Sequence, residues 1–206
     1  MALRTLSFLS ALVMAMFQIG CTSSPGERIE TTTSSMAELD ALLDETDNQL
    51  DQLAVSMQNL AQAENLDEAY AGFRSQITAL RDLREDIQEE RSDLQLNAAA
   101  HLDEWRNESV RLSGDQAREI SEERRRVFAR RVQTVTDELD NLKDSFQPLN
   151  DRLTDLRVVL RNDLTRRGVE LSQPLREEVF EAMREVSEQV EQTRSSIQEA
   201  RDAFVR

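Results

Sequence analysis

From Met36 to Phe204 the apolar residues recur at spacings of three and four, and that periodicity decides most of what the chain can become. Alternating three and four places successive side chains on one stripe of a helix. The first run is Met36, Leu39, Leu43, Thr46, Leu50, Leu53, Met57 and Leu60. The second passes through Leu66, Tyr70, Phe73, Ile77, Leu80, Arg84, Ile87, Arg91, Leu94, Ala98, His101 and Trp105 to Leu112. The third settles at Phe128 and continues through Val132, Val135, Leu139, Leu142, Phe146, Leu149, Leu153, Leu156 and Leu160. Leu175, Val179, Met183, Val186, Val190, Thr193, Ile197, Ala200 and Phe204 make the fourth.

The breaks between runs predict helices over about 34–63, 66–112, 115–162 and 174–205. Asn65 is placed to cap the second helix, and Gly114 ends it, with Ser113 and Gln116 at capping-box spacing. Pro148 sits inside the third run without disturbing its phase, so a kink is expected there rather than a break. Asp163 to Gln173 loses the period around Gly168 and reads as a loop, and Pro174 suits a first helical turn. Short connections make neighbouring helices antiparallel. The expected fold class is therefore all-α: an antiparallel four-helix bundle or coiled coil, residues 34–206 forming a single domain. Helices two and three outrun the others and should project as a two-helix hairpin, by about 22 Å at 1.5 Å per residue. An extended oligomeric coiled coil is the alternative.

Antiparallel pairing about these turns brings the polar exceptions of the seams to one level. Glu45, Thr46, Arg84, Lys143 and Thr193 form a candidate layer that would set register, with Arg91 near Glu38.

The N-terminus carries an address. A short positive start, Met1 to Arg4, precedes an apolar run from Leu6 to Ile19, too short for the ~20 residues of a membrane span. Residues 1–20 thus read as a secretory signal peptide. Gly20-Cys21 resembles the lipobox of bacterial lipoproteins, whose Cys is acylated before the signal is removed, although Gln18 departs from the usual Leu. A lone Cys in an exported chain is otherwise a liability, and acylation consumes it. Cleavage after Ser24, leaving a soluble secreted protein, is the alternative. Thr22, where Asp is the usual inner-membrane retention signal, favours an outer-membrane lipoprotein facing the periplasm. Residues 21–33 are small, polar and aperiodic, and are expected to be a flexible tether.

Leu102-Asp103-Glu104-Trp105-Arg106-Asn107-Glu108 resembles an uncharacterised bacterial family of exported helical proteins, catalogued only as a domain of unknown function. The resemblance continues through Ser121-Glu122-Glu123-Arg124-Arg125-Arg126, Gln147-Pro148-Leu149, and Leu160-Arg161-Asn162-Asp163-Leu164-Thr165 with Gly168 and Val169. It implies a long helical bundle and an envelope location, and no known activity.

Chemistry is scarce. His101 is the only histidine and lies on the seam, which is the position of a packed side chain. Zinc hydrolases and di-iron bundles need more than one His, and five scattered glycines form no phosphate loop. A formal charge of −15 disfavours nucleic acid. No enzyme, cofactor or metal is expected; the expected role is a structural or scaffolding spacer held to a membrane by its anchor. The alternative is a binding module working through the hairpin tip. Residues 101–131 hold Arg106, Arg111, Arg118, Arg124, Arg125, Arg126, Arg130 and Arg131 against seven acids, net +1 in a chain that is otherwise −16. Trp105, the only tryptophan, lies in the same hairpin. An anionic membrane surface or a protein partner is the expected occupant of such a tip.

Overall fold

A computed structural model describes the backbone of residues 25–205 and the side chains of residues 30–204. The signal peptide and the candidate acylation site Cys21 lie outside the described residues. The helices are α1 (Pro25–Gln62), α2 (Leu66–Ser109), α3 (Asp115–Asn162), a short α4 (Arg166–Leu171) and α5 (Gln173–Val205). Adjacent long helices run antiparallel around a ring in which α1 packs on α2, α2 on α3, α3 on α5 and α5 on α1. The all-α bundle is the fold that the periodicity predicts.

The heptad residues are the core. Met36, Leu39, Leu43, Leu53, Met57, Phe73, Leu94, Val135, Leu139, Leu142, Leu156, Val186 and Val190 are fully buried in one continuous cluster. Each such side chain is worth roughly 1.5–3 kcal/mol when removed from water, which outweighs anything helix propensity contributes.

Asn65 caps α2 as expected, its side chain accepting from the Glu68 amide. The capping box at Ser113 does not form: Gly114 is the N-cap of α3 and makes no side-chain cap bond. Helix α3 runs through Pro148 without a break, and Pro148 faces solvent, where water can take the carbonyl it frees. The expected loop at 163–173 instead contains α4. Thr165 caps α4 by accepting from the Gly168 amide at 3.1 Å, and Val169 is buried beneath it. Only glycine fits at 168, because a Cβ there would stand 2.1 Å from the Asp163 carbonyl oxygen. Arg166 donates to the Ala63 carbonyl at 3.1 Å and ties this loop to the α1–α2 turn.

Two further expectations are corrected. The first concerns length: α1 starts at Pro25, so residues 25–33 of the expected tether are helical. Thr32 and Ser35 are buried and extend the α1 seam upstream of Met36. Asn97 donates to the Ser35 hydroxyl at 3.2 Å, and Phe204 near the end of α5 stacks on Phe128 at 4.5 Å. All four long helices thus approach the α2–α3 turn, and the projecting part is much shorter than expected.

The second concerns register. Lys143 and Glu45 are exposed and Arg84 is only half-buried, so no charged layer crosses the core. Thr46 and Thr193 are fully buried, but each hydroxyl donates at 2.8 Å to a carbonyl four residues back, Leu42 and Gln189, and only Thr193 has a further, longer contact across the seam, 3.4 Å to the Glu138 carbonyl. Seam-edge residues hold the helices in register instead. Gln49 donates to the Gln76 side chain at 2.6 Å, Arg91 pairs with Asp140 rather than Glu38, and Arg194 bridges to Asp44 at 2.7 Å. Gln189 donates to Glu138 at 2.8 Å, and Tyr70 to the Arg157 carbonyl at 3.1 Å.

Neighbouring positions on α3 separate the two accounts of stability. Leu142→Ala should cost about 3 kcal/mol in denaturant unfolding, while Lys143→Ala should stay within about 0.5 kcal/mol of the wild type. A second test uses Glu90, whose carboxyl is pushed above its usual range by desolvation, with repulsion from Glu38 adding to it and a Ser35 hydrogen bond opposing it. A raised carboxyl withholds stability as pH climbs through its folded-state pKa and costs nothing below the ordinary range. Glu90→Gln should therefore melt higher than wild type at about pH 7 and together with it near pH 3.

Candidate functional site

The last turns of α2 and the first turns of α3 build the hairpin tip. Helical spacing puts His101, Trp105 and Ser109 on one face of α2, opposite Ser121, Arg124 and Phe128 on α3. His101 is buried, with ring centroids 4.9 Å from Phe128 and 5.3 Å from Trp105. Trp105 lies 6.1 Å from Phe128, edge to face, so these rings close the end of the core where four helices give way to two.

Past this plug the interior turns polar over a single layer. The Trp105 indole N–H donates to the Ser121 hydroxyl at 2.9 Å. Ser109 donates to the Trp105 carbonyl at 2.9 Å, and its hydroxyl lies 2.6 Å from that of Ser121. Three groups that water would otherwise hold are satisfied there, which fixes the indole ring and leaves one of its edges exposed.

Beyond that layer the hairpin opens into a groove of about 520 Å³. Trp105, Leu112, Ala117 and Ile120 supply its apolar wall, and Glu108 and Arg124 its charged lining. Val110, Leu112 and Ile120 are 74%, 37% and 57% exposed. Sequence reasoning missed Val110 and Ile120, which fall outside the heptad phase and look like ordinary surface positions; Leu112 was expected at the end of the second seam, but α2 stops at Ser109 and leaves it in the turn.

The arginines are less free than their number suggests. Arg125 pairs with Glu122 at 2.9 Å, and Arg126 and Arg130 each reach Glu123 at 3.5 Å. Arg118 pairs with Asp115, Arg106 with Asp103, and Arg131 crosses to Glu199 on α5. The Arg125 hydrogen bond holds the Glu122 carboxyl below its usual range, with Arg125, Arg126 and Arg106 adding attraction. Arg111 and Arg124, both exposed, have no ion pair among the described residues. Of the tip residues singled out by sequence, then, Trp105, Arg111 and Arg124 face the groove or its surroundings as available groups. The members of the proposed polar layer do not gather into a site. Among the described residues no cluster of three metal-ligating side chains occurs.

Ser121→Ala would strip the indole of its acceptor and leave the Ser109 hydroxyl with one partner fewer. It should cost about 1–2 kcal/mol in thermal or denaturant unfolding, whereas Arg118→Ala, which removes an exposed pair, should change stability by less than about 0.5 kcal/mol.

No curated protein and no solved structure matches the chain. Residues 27–206 match a family described as "Protein of unknown function (DUF2959)", a span that starts at the first turn of α1 and takes in every other helix. The chain belongs to that family.

Proposed function

We propose that this protein is a non-enzymatic lipoprotein of the cell envelope, acylated at Cys21, which acts as a rigid helical spacer. The observation that carries the reading is the unbroken core, in which buried side chains follow one another from Thr32 to Leu60 and from Phe128 to Leu160. At 48 residues α3 makes a rod of about 72 Å. Such a core fixes a length and a stiffness, and it leaves little interior for a substrate. Among the described residues no helix is long and apolar enough to cross a membrane.

The lone Cys, the Gly before it and the short apolar run support acylation; Thr22 in the position after it supports the outer membrane, with the rod in the periplasm. A second reading, in which the hairpin tip binds, has the exposed Val110 and Ile120 in its favour. The two are compatible, because a spacer needs a far contact or a fixed angle.

Cells grown with an alkyne-tagged fatty acid should label the wild-type protein and not Cys21→Ser, and the mature N-terminus should be Cys21. An unlabelled wild type, or a mature chain beginning downstream of Cys21, would refute the anchor.

A further inference from the structure

The start of α1 and the tip of the α2–α3 hairpin lie at the same end of the bundle. The Asn97–Ser35 hydrogen bond sets the level of one helix against the other. From Ser35 back to Pro25 is ten residues of helix, about 15 Å, and from Asn97 on to Ser109 is twelve, about 18 Å. The turn at 110–114 therefore stands only a short way beyond the start of α1. Cys21 precedes Pro25 by four residues, which span at most about 14 Å.

We infer that the hairpin tip is a second, non-covalent membrane contact that docks on anionic lipid headgroups. The inference rests on the reading of Cys21 as the anchor for its geometry: an acyl chain there brings the tip to the height of the headgroups.

The tip has the chemistry for it. Val110, Leu112 and Ile120 offer apolar surface that the fold leaves in water, and the Trp105 edge suits the boundary between headgroup and acyl chain. Arg111 and Arg124 flank that surface, both exposed and neither held in an ion pair among the described residues, with Glu108 the one acid lining the groove. The tip stretch 101–131 is net +1 while the remainder of the chain is −16. An anionic surface attracts the first and repels the second. Screening over about 8 Å at physiological salt confines both effects to what lies near the headgroups, so approach tip first is favoured. A second copy of the chain is a poorer occupant, since its own tip carries the same arginines.

Residues 21–206 with Cys21→Ser contain every described element and no acyl site, so a vesicle assay on them is independent of the labelling result. Trp105, the only tryptophan, reports from the groove wall. Mixed with phosphatidylglycerol vesicles, the protein should float with them and its emission should move to shorter wavelength. With phosphatidylcholine vesicles it should do neither, and added salt should reverse the binding. Arg111→Ser with Arg124→Ser should lower the partition coefficient about thirtyfold, the equivalent of ~1 kcal/mol per charge. Val110→Ser with Ile120→Ser should weaken binding with charge unchanged. All four residues are exposed, and unaltered melting of each variant confirms that the fold is kept. Equal partition into both vesicle types, partition into neither, a self-associated tip in place of lipid binding, or anionic binding that ignores the arginine pair would overturn the inference.

Discussion

Everything in this molecule depends on one dry seam between helices. Its residues are aliphatic or aromatic with few exceptions, and the exceptions are chosen so that the seam stays dry. Thr46 and Thr193 are the instructive pair: both are fully buried, and the short hydrogen bond of each hydroxyl is to its own helix, with Thr193 adding only a 3.4 Å contact to the Glu138 carbonyl. A buried polar group that bonds locally costs little and specifies little. Register is set instead by polar clasps at the seam edges, where Gln49 meets Gln76, Arg91 meets Asp140 and Arg194 meets Asp44. There the charged partners Asp140, Asp44 and Arg194 keep access to water while reaching across to a specific partner, which lessens the desolvation penalty that a fully buried charge layer would carry.

The sequence made the fold legible wherever large apolar residues carried the period. Leu39 to Leu60, Phe128 to Leu160 and Val179 to Ala200 could be placed on the core face without knowing any contact. The period was lost where small polar residues take seam positions. Thr32 and Ser35 are buried, yet in the sequence they merge into a run of Thr and Ser that looks like a tether. Pro25 with Glu27 in the same first turn was a readable sign of a helix start there, because Pro favours the first helical position and acids favour the positive end of the helix dipole. Helix α4 was hidden for a different reason: six residues show no period, and only the Thr165–Gly168 spacing hints at a cap.

The tip illustrates the same limit for sites. Its arginines were visible as a cluster, but a cluster counts charges without their neighbours. Glu122 and Arg125, and Glu123 and Arg126, are three residues apart, the spacing at which helical side chains meet, and they pair. What is left over, Arg111 and Arg124 beside three exposed apolar residues, emerges only once the turn geometry is known. The result is a long acidic bundle whose one end concentrates apolar surface, two exposed arginines outside any ion pair of the described residues, the tryptophan and the beginning of α1. In a spacer, a tether and a docking surface at the same end would fix the tilt of the rod as well as its attachment.

That arrangement depends on α1 starting beside the hairpin tip and on the chain folding back on itself within one molecule. Paired spin labels in a Cys21→Ser background measure it directly, with one label at Arg111 and the other at Thr31 or at Glu64, followed by pulsed dipolar spectroscopy on diluted protein. The account predicts a narrow distance of about 20–25 Å from Arg111 to Thr31 and about 65 Å from Arg111 to Glu64, from the helical rise along α2. A long distance to Thr31, or comparable distances from Arg111 to the two sites, would contradict the antiparallel bundle and with it the shared end.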